Sequence, residues 1–244
     1  MNRFDRAELA LEVERCKRSA HFLIFDSRRL LTKDEHDPDN PVKPLPIDDL
    51  YLRCVLDALL VSGKIIKPTE AKYLLREGYD MAWIEALYYS GLFMIEKSRQ
   101  LIVTWIVCTY LLWRCKYRPH QLILIQSKRE DDAANLVFAK EATVGRMSFM
   151  ESNLPKHLRT IEFPKGATYG HLYFSTGSHA WAIPEGSDII RSNTASVIFS
   201  DESGFQPEFG NSFTAALPAV KGGGQYIGVS SAEPGEWQML LEAA

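Results

Sequence analysis

From residue 91 onward, short apolar runs alternate with helical patterns, and this alternation constrains the fold more than any other feature. The strand candidates are 92–95, 122–126, 196–200 and 226–229, and helical periodicity fills 102–115 and 129–150. Apolar runs this short, separated by helices, build a parallel sheet covered on both faces. The expected fold class is therefore α/β, a mainly parallel sheet flanked by helices. One stretch breaks the pattern: residues 168–183 alternate as a hairpin does, with Gly177 near its turn.

Open sheets bind ligands beyond the C-terminal ends of their strands, so the chemistry is sought after residues 95, 126, 200 and 229. The first of these tails, "EKSRQLIVT" (96–104), has the outline of a phosphate loop: strand, short polar turn with a lysine, then a helix opening near a threonine. A phosphate site needs converging backbone N–H groups, a helix N-terminus, a cation and a hydroxyl for Mg²⁺. Lys97 and Arg99 supply the cations and Thr104 the hydroxyl. Yet no glycine lies between Leu92 and Trp105, and left-handed positions cost other residues about 1 kcal/mol or more. By its own residues the stretch also reads as an ordinary buried strand and helix.

The tail after residue 200 is "DESGF". Asp201 at the strand end suits a Mg²⁺-bound water, while Glu202, pointing the other way, suits polarising an attacking water. This is the DE form of a Walker B motif; the plain alternative is a solvated turn. Ser230 and Ser231, after the last strand, are placed to sense a terminal phosphate, or serve as turn residues. Arg191 precedes Asp201 by ten residues, on the approach to that strand, as a finger on a neighbour's nucleotide or as a solvated surface group.

The rest of the chain sets bounds. Residues 5–25 read as a helix with Asp5 as N-cap, 32–46 as an exposed acidic and proline-rich connection, and 47–63 and 68–78 as further helices. The charged N-terminus does not fit a signal peptide. The longest uncharged apolar run, 101–113, is shorter than the ~20 residues a membrane span needs. Cys16, Cys54, Cys108 and Cys115 form no CxxC pair, so the expectation is a soluble protein of a reducing compartment without a disulfide framework or zinc site. A net charge of −3 does not advertise a polyanion partner, although a local basic patch is compatible with it. The last residues, "EWQMLLEAA", stop inside an amphipathic helical pattern without a C-cap, as a truncated domain would.

In order and spacing, the series "EKSRQ…T", "NLPKHLR", "STGSHAWAIPEGSDIIRS", "VIFSDESGF" and "YIGVSSAEPG" resembles the ATPase domain of the large terminase subunit of tailed bacteriophages, over about residues 85–240. The resemblance implies a P-loop NTPase of the ASCE type, with an N-terminal helical or lid subdomain over 1–84 and the ATPase core over 85–244. It implies a deviant Walker A motif whose lysine stands at the start of the loop. Carried over position by position, Lys97, Ser98, Arg99, Gln100 and Thr104 form the nucleotide-phosphate loop. Thr104 and Asp201 hold Mg²⁺, Glu202 activates water, and Arg191 matches an arginine supplied in trans in some members. Ser230, Ser231 and Ala232 match the coupling motif.

The implied cofactors are ATP and Mg²⁺. The implied partners are double-stranded DNA, the portal protein, the small terminase subunit and further copies in a ring, with a monomer expected in isolation. The setting is the host cell cytoplasm, away from membranes. Family members continue into a nuclease domain, for which 244 residues leave no room, so no nuclease activity is expected of this chain.

Two departures from the family pattern matter. Ile102 stands where many members have glycine, and Val103 where a small or basic residue is common, so the loop is expected to leave the usual backbone path and to bind ATP weakly in isolation. The upstream glutamine that reads adenine is missing, which leaves Tyr51 or Arg53 as candidates to stack on the base. Lys128, Arg129, Lys221 and the glycine turn 222–224 are candidate DNA-facing groups, or plain solvated surface. A helicase-like translocase and a non-hydrolysing module of the same fold remain as alternative functions.

Overall fold

The computed structural model describes residues 3–33, 42–44, 50–72, 81–82, 90–98, 102–142, 144–163 and 165–242. The first helix, α1 (Arg3–Arg18), opens two residues ahead of Asp5, which therefore lies inside it rather than capping it. It is followed by a π-type turn, Phe22–Asp26, that buries Leu23, Ile24 and Phe25. Part of the expected connection at 32–46 is instead a two-stranded antiparallel ribbon, β1 (Leu31–Lys33) with β2 (Val42–Pro44). Helix α2 (Leu50–Ser62) follows. Of the helix expected at 68–78, the described part is a 3₁₀ turn, Pro68–Glu70, followed by Ala71 and a helical Lys72; residues 73–78 lie outside the described residues.

The remaining strands form one sheet. β3 (Leu92–Glu96), β4 (Leu122–Gln126), β7 (His179–Ile183), β8 (Val197–Asp201) and β9 (Gln225–Ser230) run parallel, in the spatial order β3–β9–β8–β4–β7. Two short strands, β5 (Ala167–Thr168) and β6 (His171–Tyr173), extend it antiparallel beyond β7. The expected hairpin is thus β6–β7, grafted onto the parallel sheet through β7.

Side chains alternate between two cores, as the pleat requires. Phe93, Ile123, Ile125, Val197, Phe199, Ile227 and Val229 face α1, α2, α3 (Val103–Tyr117), α4 (Glu130–Val137) and α5 (Arg146–Asn153). Leu124, Ile198 and Tyr226 face α6 (Asp188–Ser192), α7 (Phe209–Lys221) and α8 (Glu236–Glu242). Helix α3 is buried on every side from Val103 to Lys116, as an apolar-all-round sequence demands. Among the described residues, no helix is long and apolar enough to cross a membrane.

The helical pattern at 129–150 is broken in two. Phe138 takes an extended backbone at the end of α4. Gly145 then packs so tightly that a Cβ there would stand 2.3 Å from the Val137 carbonyl oxygen. Only a glycine permits that approach, so the chain turns back on α4 before α5 begins. A buried ion pair fixes α5: Lys116 Nζ donates to Glu151 Oε2 at 2.6 Å and to the Leu158 carbonyl at 2.6 Å. The four cysteines are buried and none forms a disulfide among the described residues.

Candidate nucleotide site

Because β3, β9, β8 and β4 are parallel, their C-terminal ends, Glu96, Ser230, Asp201 and Gln126, lie along one edge of the sheet. β9 is interposed between β3 and β8, so residues after β3 face those after β8 across the width of one strand. Lys97 continues the ladder: its backbone N–H donates to the Ser230 carbonyl at 2.9 Å. Its side chain, only 7% exposed, crosses to β8 and donates from Nζ to Glu202 Oε1 at 3.2 Å. Thr104, in the first turn of α3, donates from Oγ1 to Asp201 Oδ1 at 3.0 Å.

These two contacts join the sequence-derived pairs: loop lysine with second carboxylate, helix hydroxyl with first. Ser230 Oγ accepts from the Gly204 N–H at 3.0 Å, so Ser230 touches both the loop strand and the carboxylate turn. Gly204 is required there, since a Cβ would lie 2.9 Å from that same hydroxyl. Ser98 is exposed, Ser231 is half-buried and Ala232 is exposed. Arg99 and Gln100 lie outside the described residues.

Burial pushes the Asp201 carboxyl up to about 6, and neighbouring Glu202 adds to that; the Arg146 charge, the Thr104 hydrogen bond and Lys97 act in the opposite direction. A carboxylate so buried favours a counter-charge. Thr104 and Asp201 are oxygen donors side by side, the chemistry Mg²⁺ prefers. The pair therefore fits that ion, and the Lys97 ammonium lies against the neighbouring carboxylate of Glu202.

Ile102 takes φ 58°, ψ 8° immediately before α3. The bulky residue thus adopts a left-handed conformation of the kind glycine adopts freely; the path of the loop at 99–101 lies outside the described residues. Val103 is accommodated by complete burial in the first core.

Other candidates stand apart. Arg191 is exposed on α6, and among the described residues it makes no side-chain contact with the site. Arg53 is engaged elsewhere, with Asp26 at 3.3 Å and over the Phe25 ring at 4.5 Å, whereas Tyr51 is exposed. Arg129 is tied to Asp132 at 2.9 Å; Lys128 and Lys221 are exposed.

Two residues had gone unnoticed in the sequence. Arg146 lies 5.4 Å over the Trp105 ring and bears electrostatically on Asp201. Gln206 sits buried under the carboxylate turn. Neither belongs to a spacing pattern; only the fold brings them to the site.

Strand order and helix placement define an α/β fold, a mainly parallel sheet flanked by helices, in which β9 separates β3 from β8. No protein-family model matches the sequence, and no curated protein matches it. Among solved structures, the chain is similar to the large terminase of bacteriophage HK97, at 13% sequence identity and a TM-score of 0.42. The match covers 63% of this chain and 33% of that one, so this chain spans about a third of the length of that structure.

Proposed function

We propose that this chain hydrolyses ATP with Mg²⁺ and is the motor domain of a terminase large subunit, driving double-stranded DNA into a viral procapsid. The observation that carries the enzymatic part is the paired contact of Lys97 with Glu202 and Thr104 with Asp201 across β9. The viral assignment is supported by the ordered motif series, and with it come the portal protein, the small terminase subunit, a ring of copies and the host cytoplasm.

Thr104 and Asp201 would hold Mg²⁺, which would supply neutralisation of the phosphate charge. Lys97 binds the phosphates and, in doing so, exchanges its contact with Glu202 for one with the nucleotide. The freed Glu202 carboxylate then takes a proton from the attacking water as general base. Ser230, bonded to both sides of the site, transmits the change along β9. Arg191, exposed on α6, serves the nucleotide of an adjacent copy. DNA is met through its phosphates, so binding weakens with salt and is nearly blind to sequence.

The test is phosphate release from Mg·ATP by wild type and Glu202→Gln over a range of protein concentrations. Turnover is expected to fall on the order of 10²-fold or more in the variant, with folding unchanged. In the wild type it should rise faster than linearly with concentration as neighbours supply Arg191. Wild-type protein that is folded but inert at every concentration would support a non-hydrolysing module instead.

A further inference from the structure

The carboxylate turn is held in an unfavourable conformation, and the side chains that hold it are buried. Glu202 has φ 51° and ψ 45°, a left-handed geometry that an L-residue with a long side chain adopts only when its surroundings impose it. In that geometry the Glu202 carboxylate reaches Lys97, at 3.2 Å from Nζ. Three oxygens flank the turn: the Asp201 carbonyl and the carbonyl and hydroxyl of Ser200. All three are bonded from beneath. Gln206, 4% exposed, donates from Nε2 to the Asp201 carbonyl at 2.8 Å and to Ser200 Oγ at 3.0 Å. Ser203, fully buried, donates from Oγ to the Ser200 carbonyl at 2.9 Å and lies 3.0 Å from its hydroxyl.

The Gln206 amide orientation is informative. Its two contacts use the donor end, leaving Oε1 buried without a partner among the described residues. An unpaired buried acceptor costs stability, and turning the amide over would set two carbonyl oxygens against each other at Asp201. The amide is therefore committed to the turn. The 3₁₀ turn Ser203–Phe205 supplies the spacing that brings residue 206 back under residue 201.

We infer that Gln206 is a positioning residue for the catalytic carboxylate: by clamping the Asp201 carbonyl and Ser200 Oγ, it fixes the left-handed Glu202 and with it the reach of the carboxylate toward Lys97 and the attacking water. Gln206 is buried beneath the turn and bonded to Ser200 and Asp201, so it acts through Glu202. The catalytic consequence rests on the proposed ATPase activity, whereas the consequence for the Lys97–Glu202 contact does not.

Two measurements test it with Gln206→Met, which keeps the length of the side chain and removes its donors. In single-turnover hydrolysis of Mg·ATP, the rate should fall on the order of 10- to 100-fold, while the Kd for Mg·ADP changes by less than about twofold, within the noise of an energetically neutral change. Added to Glu202→Gln, the same substitution should cost nothing further, as expected of groups acting as a unit. An unchanged rate, or an equal further loss in the Glu202→Gln background, overturns the inference.

The second measurement needs no turnover. A double-mutant cycle of Lys97→Met and Glu202→Gln, read by urea unfolding, should show the pair coupled about two- to fivefold in the unfolding equilibrium constant. That coupling should vanish in the Gln206→Met background; equal coupling in both backgrounds overturns the inference, whether or not the wild type hydrolyses ATP. If Gln206→Met does not fold, Ser203→Ala removes the other brace and should weaken the same coupling.

Discussion

Ile102 carries a left-handed backbone with its side chain still 37% exposed. For a β-branched residue this costs about 1–2 kcal/mol, and the buried start of α3 behind it imposes the conformation. Strain of this kind separates from packing when glycine and alanine are compared at one site. Both remove the isoleucine side chain, but only alanine keeps the Cβ that objects to positive φ. Ile102→Gly is therefore expected to be more stable than Ile102→Ala by about 1 kcal/mol, the reverse of their order inside a helix, as read by urea midpoints. Alanine equal to or better than glycine would mean that the loop relaxes out of this conformation. At this scale the sequence was informative where chemistry is local: Lys97, Thr104, Asp201, Glu202 and Ser230 were legible from residue type and strand ends, and the structure brings them together. Gln206 and Arg146 were illegible because each matters only through contacts that chain folding creates, under a turn and over a tryptophan ring.

The hairpin β6–β7 carries a cluster of near-parallel rings on one face: His171, Tyr173, His179 and Trp181, with His171 Nδ1 and His179 Nε2 hydrogen-bonded at 2.8 Å. Such a bond needs at least one neutral ring, and two imidazolium groups side by side would repel. Burial, together with the charge of His171, pushes His179 down to about 4; burial also lowers His171, with Glu130 opposing. The folded state therefore binds fewer protons than the unfolded chain, whose histidines titrate near 6.5. The cluster's contribution is fully present above about pH 6.5 and is lost as pH falls toward 4. His179→Asn removes that term, so its destabilisation relative to wild type should shrink between pH 7.5 and pH 5. A cost independent of pH would leave the histidine pair without a titrating role. Strand positions along the sheet were readable because each is a short apolar run bounded by polar or turn residues. The split between α4 and α5 was not, because 129–150 keeps helical periodicity while Gly145 makes its close approach to a carbonyl distant in neither sequence nor pattern.

The N-terminal helices and the sheet share one apolar core: Cys16, Leu23, Phe25 and Leu59 lie in the same cluster as Ile106, Phe199 and Val229. The Trp113 indole donates to the Cys16 carbonyl at 2.9 Å. A second tie runs through Gln225, at the start of β9. Its amide donates to the Leu59 carbonyl at 3.0 Å and to Ser62 Oγ at 2.7 Å, and its Oε1 accepts from Tyr110 and Arg114 at 2.7 and 3.0 Å. One side chain thus joins α2, α3 and β9, and the opposite end of β9 carries Ser230 at the candidate site. A helical layer and a sheet linked in this way cannot separate without exposing the core they share, so the described parts should unfold as a unit. Gln225→Leu removes the four buried hydrogen bonds of this amide, while Arg114 keeps Tyr110 and Gln121 and the Leu59 carbonyl keeps the Gly63 N–H, so the cost is about 3 kcal/mol. For a chain of this size that corresponds to a Tm lower by roughly 6–12 °C. Fluorescence of a variant that keeps Trp113 and carries Phe at the other four tryptophans, and far-ultraviolet circular dichroism, should shift together when Gln225→Leu is added. Separate transitions, with fluorescence lost first, would instead mean that the N-terminal helices melt from an intact sheet, and that the tie through β9 does not bind the molecule into one cooperative body.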